Sequence, residues 1–200
     1  MSMRFIISIT LAFTAAISTS TAAVIDFDGL IGGPIGDGEL VTSQYSALGV
    51  NFFDTYYGGA QANDTLTSRM PGSSAPNILF VDQSGGLTVG QYLEIDFSNP
   101  VSDVSTRFMA TGDITLAAYN GGMFLGSVYR DHYEYSGLLS FRSAQGITSM
   151  RLFSHSWLGF SYNFGIDDLT FTAVPEPGVV GLLVLGATSF LVCRYGCHER

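Results

Sequence analysis

From about residue 24 to residue 172 the apolar positions alternate with polar ones instead of recurring every three or four. Leu93, Ile95 and Phe97 alternate with Glu94 and Asp96, and Val104, Thr106 and Phe108 with Ser105 and Arg107. Ile114, Leu116 and Ala118 alternate with Thr115, Ala117 and Tyr119. Successive side chains of a strand point to opposite faces, so period two marks a strand with one buried face. Further strands are predicted at Val24–Asp28, Val50–Tyr56, Ile78–Val81, Leu138–Arg142, Ile147–Phe153 and Phe164–Thr172. Ser84-Gly85-Gly86, Ser98-Asn99-Pro100 and Thr111-Gly112-Asp113 read as turns. Asn120-Gly121-Gly122 predicts a hairpin between Asp113–Tyr119 and Met123–Tyr129. Ile31 to Gly38 and Asp54 to Pro76 read as long polar loops. No amphipathic helical pattern of useful length interrupts this series. Strand after strand at short spacing predicts an all-β domain, an antiparallel β-sandwich of jelly-roll type.

The two ends follow a different pattern. Arg4, the mostly apolar stretch Phe5 to Ile17 and the small residues Thr21-Ala22-Ala23 have the order of a secretory signal peptide. At the other end, Val174-Pro175-Glu176-Pro177 precedes Gly178 to Cys193, a run of 16 residues without a charge, closed by Arg194. Two prolines one residue apart fix φ twice and keep the chain extended. At 1.5 Å per residue the run spans roughly 24 Å as a helix, against a bilayer core of about 30 Å. Tyr195 at the interface and snorkelling arginines make up the difference. Arg194 behind the span leaves the middle of the chain exported, by the positive-inside rule. The predicted division is a signal peptide at 1–23, a β-sandwich ectodomain at 24–173 and a tail at 174–200 with a transmembrane helix at 178–193.

The order of Val174-Pro175-Glu176-Pro177, apolar helix and Arg194 resembles the PEP-CTERM sorting signal of Gram-negative bacterial exoproteins. That resemblance implies processing by an exosortase, a membrane-embedded cysteine transpeptidase. It also implies a precursor anchored in the inner membrane, then delivery to the cell surface or an extracellular polysaccharide matrix, as in a biofilm. The bland alternative is an anchor helix that nothing cuts. A looser resemblance runs along the ectodomain. It opens on Ile25-Asp26-Phe27-Asp28, passes through Leu93-Glu94-Ile95-Asp96-Phe97 and closes on Phe164-Gly165-Ile166-Asp167-Asp168-Leu169. These segments look like the jelly-roll ectodomains found ahead of PEP-CTERM tails, which are distantly similar to carbohydrate-binding modules.

Charge narrows the partners. Arg4, Arg194, Arg200 and Glu199 lie outside Val24–Pro177, leaving five basic and sixteen acidic residues in that exported segment, a net charge of −11. The chain has no lysine. Such a surface repels nucleic acid and anionic lipid. Both cysteines, Cys193 and Cys197, lie in the tail, so the ectodomain has neither disulfide nor thiolate metal site.

Three constellations are candidates for chemistry. Asp26 and Asp28 share one face of the first predicted strand, and Asp167-Asp168 open the last. If those strands are neighbours, the four carboxylates form a site for calcium, which takes six to eight oxygens. The alternative is turn caps and solvated charge. Tyr56-Tyr57 beside Gly58-Gly59, and Trp157, are rings suited to stacking on sugars, as a glycan-binding site requires. Against this, aromatics are ordinary strand residues. His132 and His155 are the histidines outside the tail, and no hydrolase or phosphate-loop motif accompanies them.

The sequence therefore reads as an exported, non-catalytic, structural or adhesive protein of extracellular polysaccharide. A lectin-like glycan-binding module is the alternative, and a secreted glycoside hydrolase with two carboxylates the third. A lectin-like module needs clustered exposed rings; an enzyme needs two converging titratable groups.

Overall fold

The computed structural model describes residues 22–33, 38–54, 60–65, 70–81, 92–131, 134–155 and 163–174. Within them the chain is all-β and antiparallel, as the alternation predicts. The strands are β1 Ala22–Ile25, β2 Val50–Asp54, β3 Ala60–Asn63, β4 Ile78–Val81, β5 Leu93–Ala110, β6 Asp113–Asn120, β7 Met123–Arg130, β8 Ser136–His155 and β9 Phe164–Ala173. They form one sheet in the order β3-β4-β9-β5-β8-β6-β7, with β1 on β9 and β2 on β5.

The sheet doubles over because β5 and β8 run through both layers. Leu93–Asp96 of β5 pair with β2 and with Ser149–Leu152 of β8. Beyond a register shift between Asp96 and Val101, β5 pairs with β9 and with the first part of β8. The front layer is thus β2-β5-β8-β6-β7, and the back layer carries β3, β4, β9 and β1. Leu79 and Val81 of β4 and Ile114 and Leu116 of β6 stand far apart in strand order, yet share one buried cluster. That is the core of a β-sandwich, filled by alternate residues of both layers.

Several boundaries depart from the alternation. The predicted strands around 93–97 and 104–108 are one, because Ser98-Asn99-Pro100 is absorbed as a bulged, exposed stretch rather than a turn. The two at 138–142 and 147–153 likewise fuse into β8. β3 lies inside a segment read as loop. The first strand begins at Ala22 and ends at Ile25, because Phe27 adopts a left-handed φ of 58°. Asp26 and Asp28 are therefore in the turn after β1, not on one face of it. Asp167 and Asp168 lie in the middle of β9 rather than at its start, and Asp168 also has positive φ, 48°. The Gly121-Gly122 hairpin is as predicted, with φ of 54° and 86°, the signs a two-residue turn of type I′ needs.

Candidate functional site

The outward face of the front layer follows from register. On one row Phe53, Glu94, Arg151, Ala117 and Ser127 lie side by side across β2, β5, β8, β6 and β7. The next row is Asn51, Asp96, Ser149, Tyr119 and Phe124. On the other side come Phe153, Thr115 and Tyr129, with Tyr92 leading into β5 in the same alternation. The opposite parity, Leu93, Ile95, Leu116, Ala118, Met150 and Leu152, is core. One face of this layer is thus apolar interior, and the other carries, among the described residues, rings, carboxylates and one guanidinium.

Its centre is Arg151. The guanidinium carbon lies 4.5 Å from the Tyr92 ring centroid and 4.9 Å from that of Tyr119. Arg151 Nε and Nη2 both donate to Glu94 Oε1, each at 3.1 Å. Ring faces attract a cation, and the carboxylate fixes its plane, so the three neighbours hold the long side chain in one place. Tyr119 packs on Phe124 with centroids 5.7 Å apart and planes at 58°. Tyr129 donates its hydroxyl to Asp113, and that hydrogen bond, with the nearby carboxylate charge, pushes the phenol up to about 12. Burial, then the charge of Glu94, raise the Asp96 carboxyl above its ordinary value, while Arg151 partly offsets them. Phe53, Phe124 and Tyr129 remain 51%, 57% and 50% exposed. Between the rings the residues are short: Ser127 and Ser149, with Thr115 and Ala117 buried. Five strands about 4.8 Å apart make this face roughly 19 Å wide.

The predicted acid set is divided by the fold. Asp168 turns to Arg107, with Oδ2 and Nε 3.4 Å apart. Asp167 is fully buried; its Oδ2 accepts from Ser74 Oγ at 3.1 Å, and among the described residues its Oδ1 has no hydrogen-bond partner. The same Ser74 hydroxyl lies 3.4 Å from the Asp26 carbonyl. Asp28 accepts from the Asn77 backbone N–H at 2.9 Å, and Asp26 caps the Asp28 N–H at 3.3 Å. Burial above all, with the charges of Asp168 and Asp28, pushes the Asp167 carboxyl up to about 7. The Asp168 N–H and Ser74 act in the opposite direction. Asp26, Asp28 and Asp167 share a neighbourhood, felt also by Tyr45, whose phenol is pushed up to about 12 by burial and by these acids. Among the described residues, however, no three Asp, Glu, His or Cys side chains come close enough to hold a metal ion.

Tyr56, Tyr57 and Trp157 lie outside the described residues, as do the signal peptide up to Thr21, Pro175, Glu176, Pro177, Arg194 and the helix at 178–193. Val174 is described; its N–H donates to the Pro100 carbonyl at 2.9 Å. The rings of the front face were missed because each stands in a strand pattern that core packing explains equally well. The signal was present: Tyr92, Glu94, Asp96 and Tyr119, Arg151, Phe153 all occupy the polar parity of their strands. A second depression, of about 440 Å³, lies beside β5 and β8 and is lined by Asp103, Ser105, Leu138, Ser140, Phe141 and Arg142. It has one ring, and its cation is bonded to Asp103.

No protein-family model matches the chain, and no curated protein matches it. Among solved structures, the K2 cleaved adhesin domain of Lys-gingipain matches with a TM-score of 0.48 at 8% identity, covering 76% of this chain and 99% of that one. The K3 adhesin domain from Porphyromonas gingivalis gives 0.42 at 12%, covering 77% and 100%. A carbohydrate-binding module of family 29 gives 0.42 at 10%, covering 77% and 89%.

Proposed function

We propose that this protein is an exported, non-catalytic module that holds extracellular polysaccharide on its front face and so serves an adhesive or structural role. The observation that carries this reading is the Tyr92–Arg151–Tyr119 stack, continued by Phe124 and flanked by the exposed rings of Phe53 and Tyr129. Sugars present apolar C–H faces and hydroxyl edges. Flat rings take the first, and carboxylates, Asn51 and the serines take the second. The width of the face suits several sugar residues of an extended chain rather than a single one. Glu94 is fixed by two hydrogen bonds from Arg151.

Affinity electrophoresis of the full-length protein in gels containing a panel of polysaccharides tests this reading. Retardation is expected in at least one gel, and Tyr119→Ala should weaken it roughly tenfold, since stacking on one ring contributes on the order of 1 kcal/mol beyond its area. Migration unchanged by every polysaccharide would end the proposal.

Delivery is proposed to run through Val174-Pro175-Glu176-Pro177 and the apolar run that ends at Arg194, as an exosortase substrate. The order of motif, run and arginine supports this. Protein released from the surface of an exosortase-positive host is expected to lack the tail beyond the motif when its intact mass is measured. A released protein ending at Arg200 would overturn it. Pro175→Ala with Pro177→Ala should keep the precursor in the membrane.

A further inference from the structure

We infer that the front face selects uncharged polysaccharide and excludes polymers carrying uronate or sulfate groups. The inference rests on the glycan-binding reading and adds the ligand's chemical class. Its ground is the fate of the one guanidinium that the described residues place on this face. Arg151 has two rings against it and directs both Nε and Nη2 at Glu94. An anionic sugar could reach only Nη1 without displacing Glu94, and there it would lie beside the Glu94 carboxylate and be repelled by it. Arg130, at the end of neighbouring β7, is 3.4 Å from Glu134 and is likewise engaged.

Carboxylates outnumber this cation. Glu94 and Asp96 share the outward parity of β5 with the single Arg151 among the described residues, while Asp113, of the same parity on β6, is buried and takes the Tyr129 hydroxyl. Among the described residues no hydrogen bond reaches the Asp96 carboxylate. Its raised affinity for a proton agrees with a partly desolvated anion beside Glu94, for which Arg151 compensates only in part. Such a group accepts hydrogen bonds from sugar hydroxyls and repels a second anion at the same distance. The net charge of −9 over the whole chain adds a longer-range repulsion of the same sign.

The rings and carboxylates thus divide the work. Tyr92, Tyr119 and Phe124 offer stacking that any pyranose can use. Asp96 supplies the hydrogen-bond acceptor and, by its charge, the discrimination against acidic sugars.

The test is affinity electrophoresis of the full-length protein against two sets of polymers. Galactomannan, xyloglucan and mixed-linkage β-glucan are neutral; alginate, polygalacturonate and hyaluronan are anionic. Retardation is expected with at least one neutral polymer, at least tenfold stronger than with any anionic one and little changed between 50 and 500 mM salt. Asp96→Asn should weaken neutral binding by roughly tenfold, the loss of one charged acceptor. Asp96→Lys should let alginate bind. Stronger retardation by anionic than by neutral polymers, abolished by salt, would overturn the inference while leaving glycan binding intact. Failure of both sets to retard the protein would overturn both.

Discussion

Asp167→Asn is expected to stabilise the protein at neutral pH, by an amount that shrinks to nothing as the pH falls toward 4. The carboxyl is fully buried in β9, with one oxygen on Ser74 and the other without a hydrogen-bond partner among the described residues. Burial lifts it from its ordinary value of 3.8 to about 7. The folded chain therefore keeps a proton that the unfolded chain releases between about pH 4 and pH 7. Stability falls with rising pH wherever the folded state binds more protons, so this group weakens the fold across that window. Below about 4 both states are protonated and the penalty is absent. Above about 7 both are ionised and it is complete, on the order of 4 kcal/mol. Asparagine keeps an acceptor for the Ser74 hydroxyl and carries no charge. Urea midpoints of the wild type and Asp167→Asn should coincide at pH 4 and separate steadily toward pH 8. Parallel profiles would show that the charge is compensated in the fold.

Repeating that titration with calcium and with chelator decides the fate of the predicted cation site. An ion held by Asp26, Asp28 and Asp167 would keep Asp167 ionised and remove the slope in calcium alone. Asp168→Asn should leave this outcome unchanged, because Asp168 is committed to Arg107. It should instead loosen that pair, with an effect of a few tenths of a kcal/mol at a half-exposed site.

Alternation revealed the all-β class, the Gly121-Gly122 hairpin and the inward parity of β5, β6 and β8. Each of these depends on residues within a few positions of one another. What escaped it depends on partners distant in sequence. Ser98-Asn99-Pro100 has the composition of a turn, yet β5 continues through it because β8 and β9 pair with Val101 onward. Asp26 and Asp28 alternate correctly for a strand, but Phe27 turns into the core, and its left-handed backbone takes both acids out of register. The candidate site shows the same limit. Tyr92 just before β5, Tyr119 in β6 and Arg151 in β8 are far apart in sequence, and no local window sets them around one another. The register does so, by laying β8 between β5 and β6.

Phe27 itself carries the last expectation. Phe27→Ala should destabilise the protein by about 3–5 kcal/mol, the range for removing a buried phenylalanine ring. The ring is fully buried and meets Tyr45 and Phe52 edge-on, each with centroids 5.7 Å away, while Tyr45 and Phe52 lie 5.9 Å from each other. Removing it opens a cavity and ends two of the three contacts in that triad. Alanine also inherits the left-handed backbone, φ 58°, which costs a residue with a Cβ roughly 1–2 kcal/mol. Glycine does not pay that cost, although its unfolded chain is freer by roughly 0.5–1 kcal/mol. Phe27→Gly should therefore be no less stable than Phe27→Ala, despite burying less surface. The turn that Phe27 anchors also receives Asn77, whose side-chain amide donates to the Phe27 carbonyl at 3.3 Å and to that of Leu30 at 2.8 Å. Loss of the ring should loosen this contact and admit water to Asp167, bringing its carboxyl back toward the ordinary range. The pH slope described for Asp167 should then flatten in Phe27→Ala as well. Denaturant titrations at pH 4 and pH 8 read both effects. A loss under 1 kcal/mol, or a glycine variant clearly weaker than alanine, would contradict the account of Phe27 as a buried anchor held in a strained backbone.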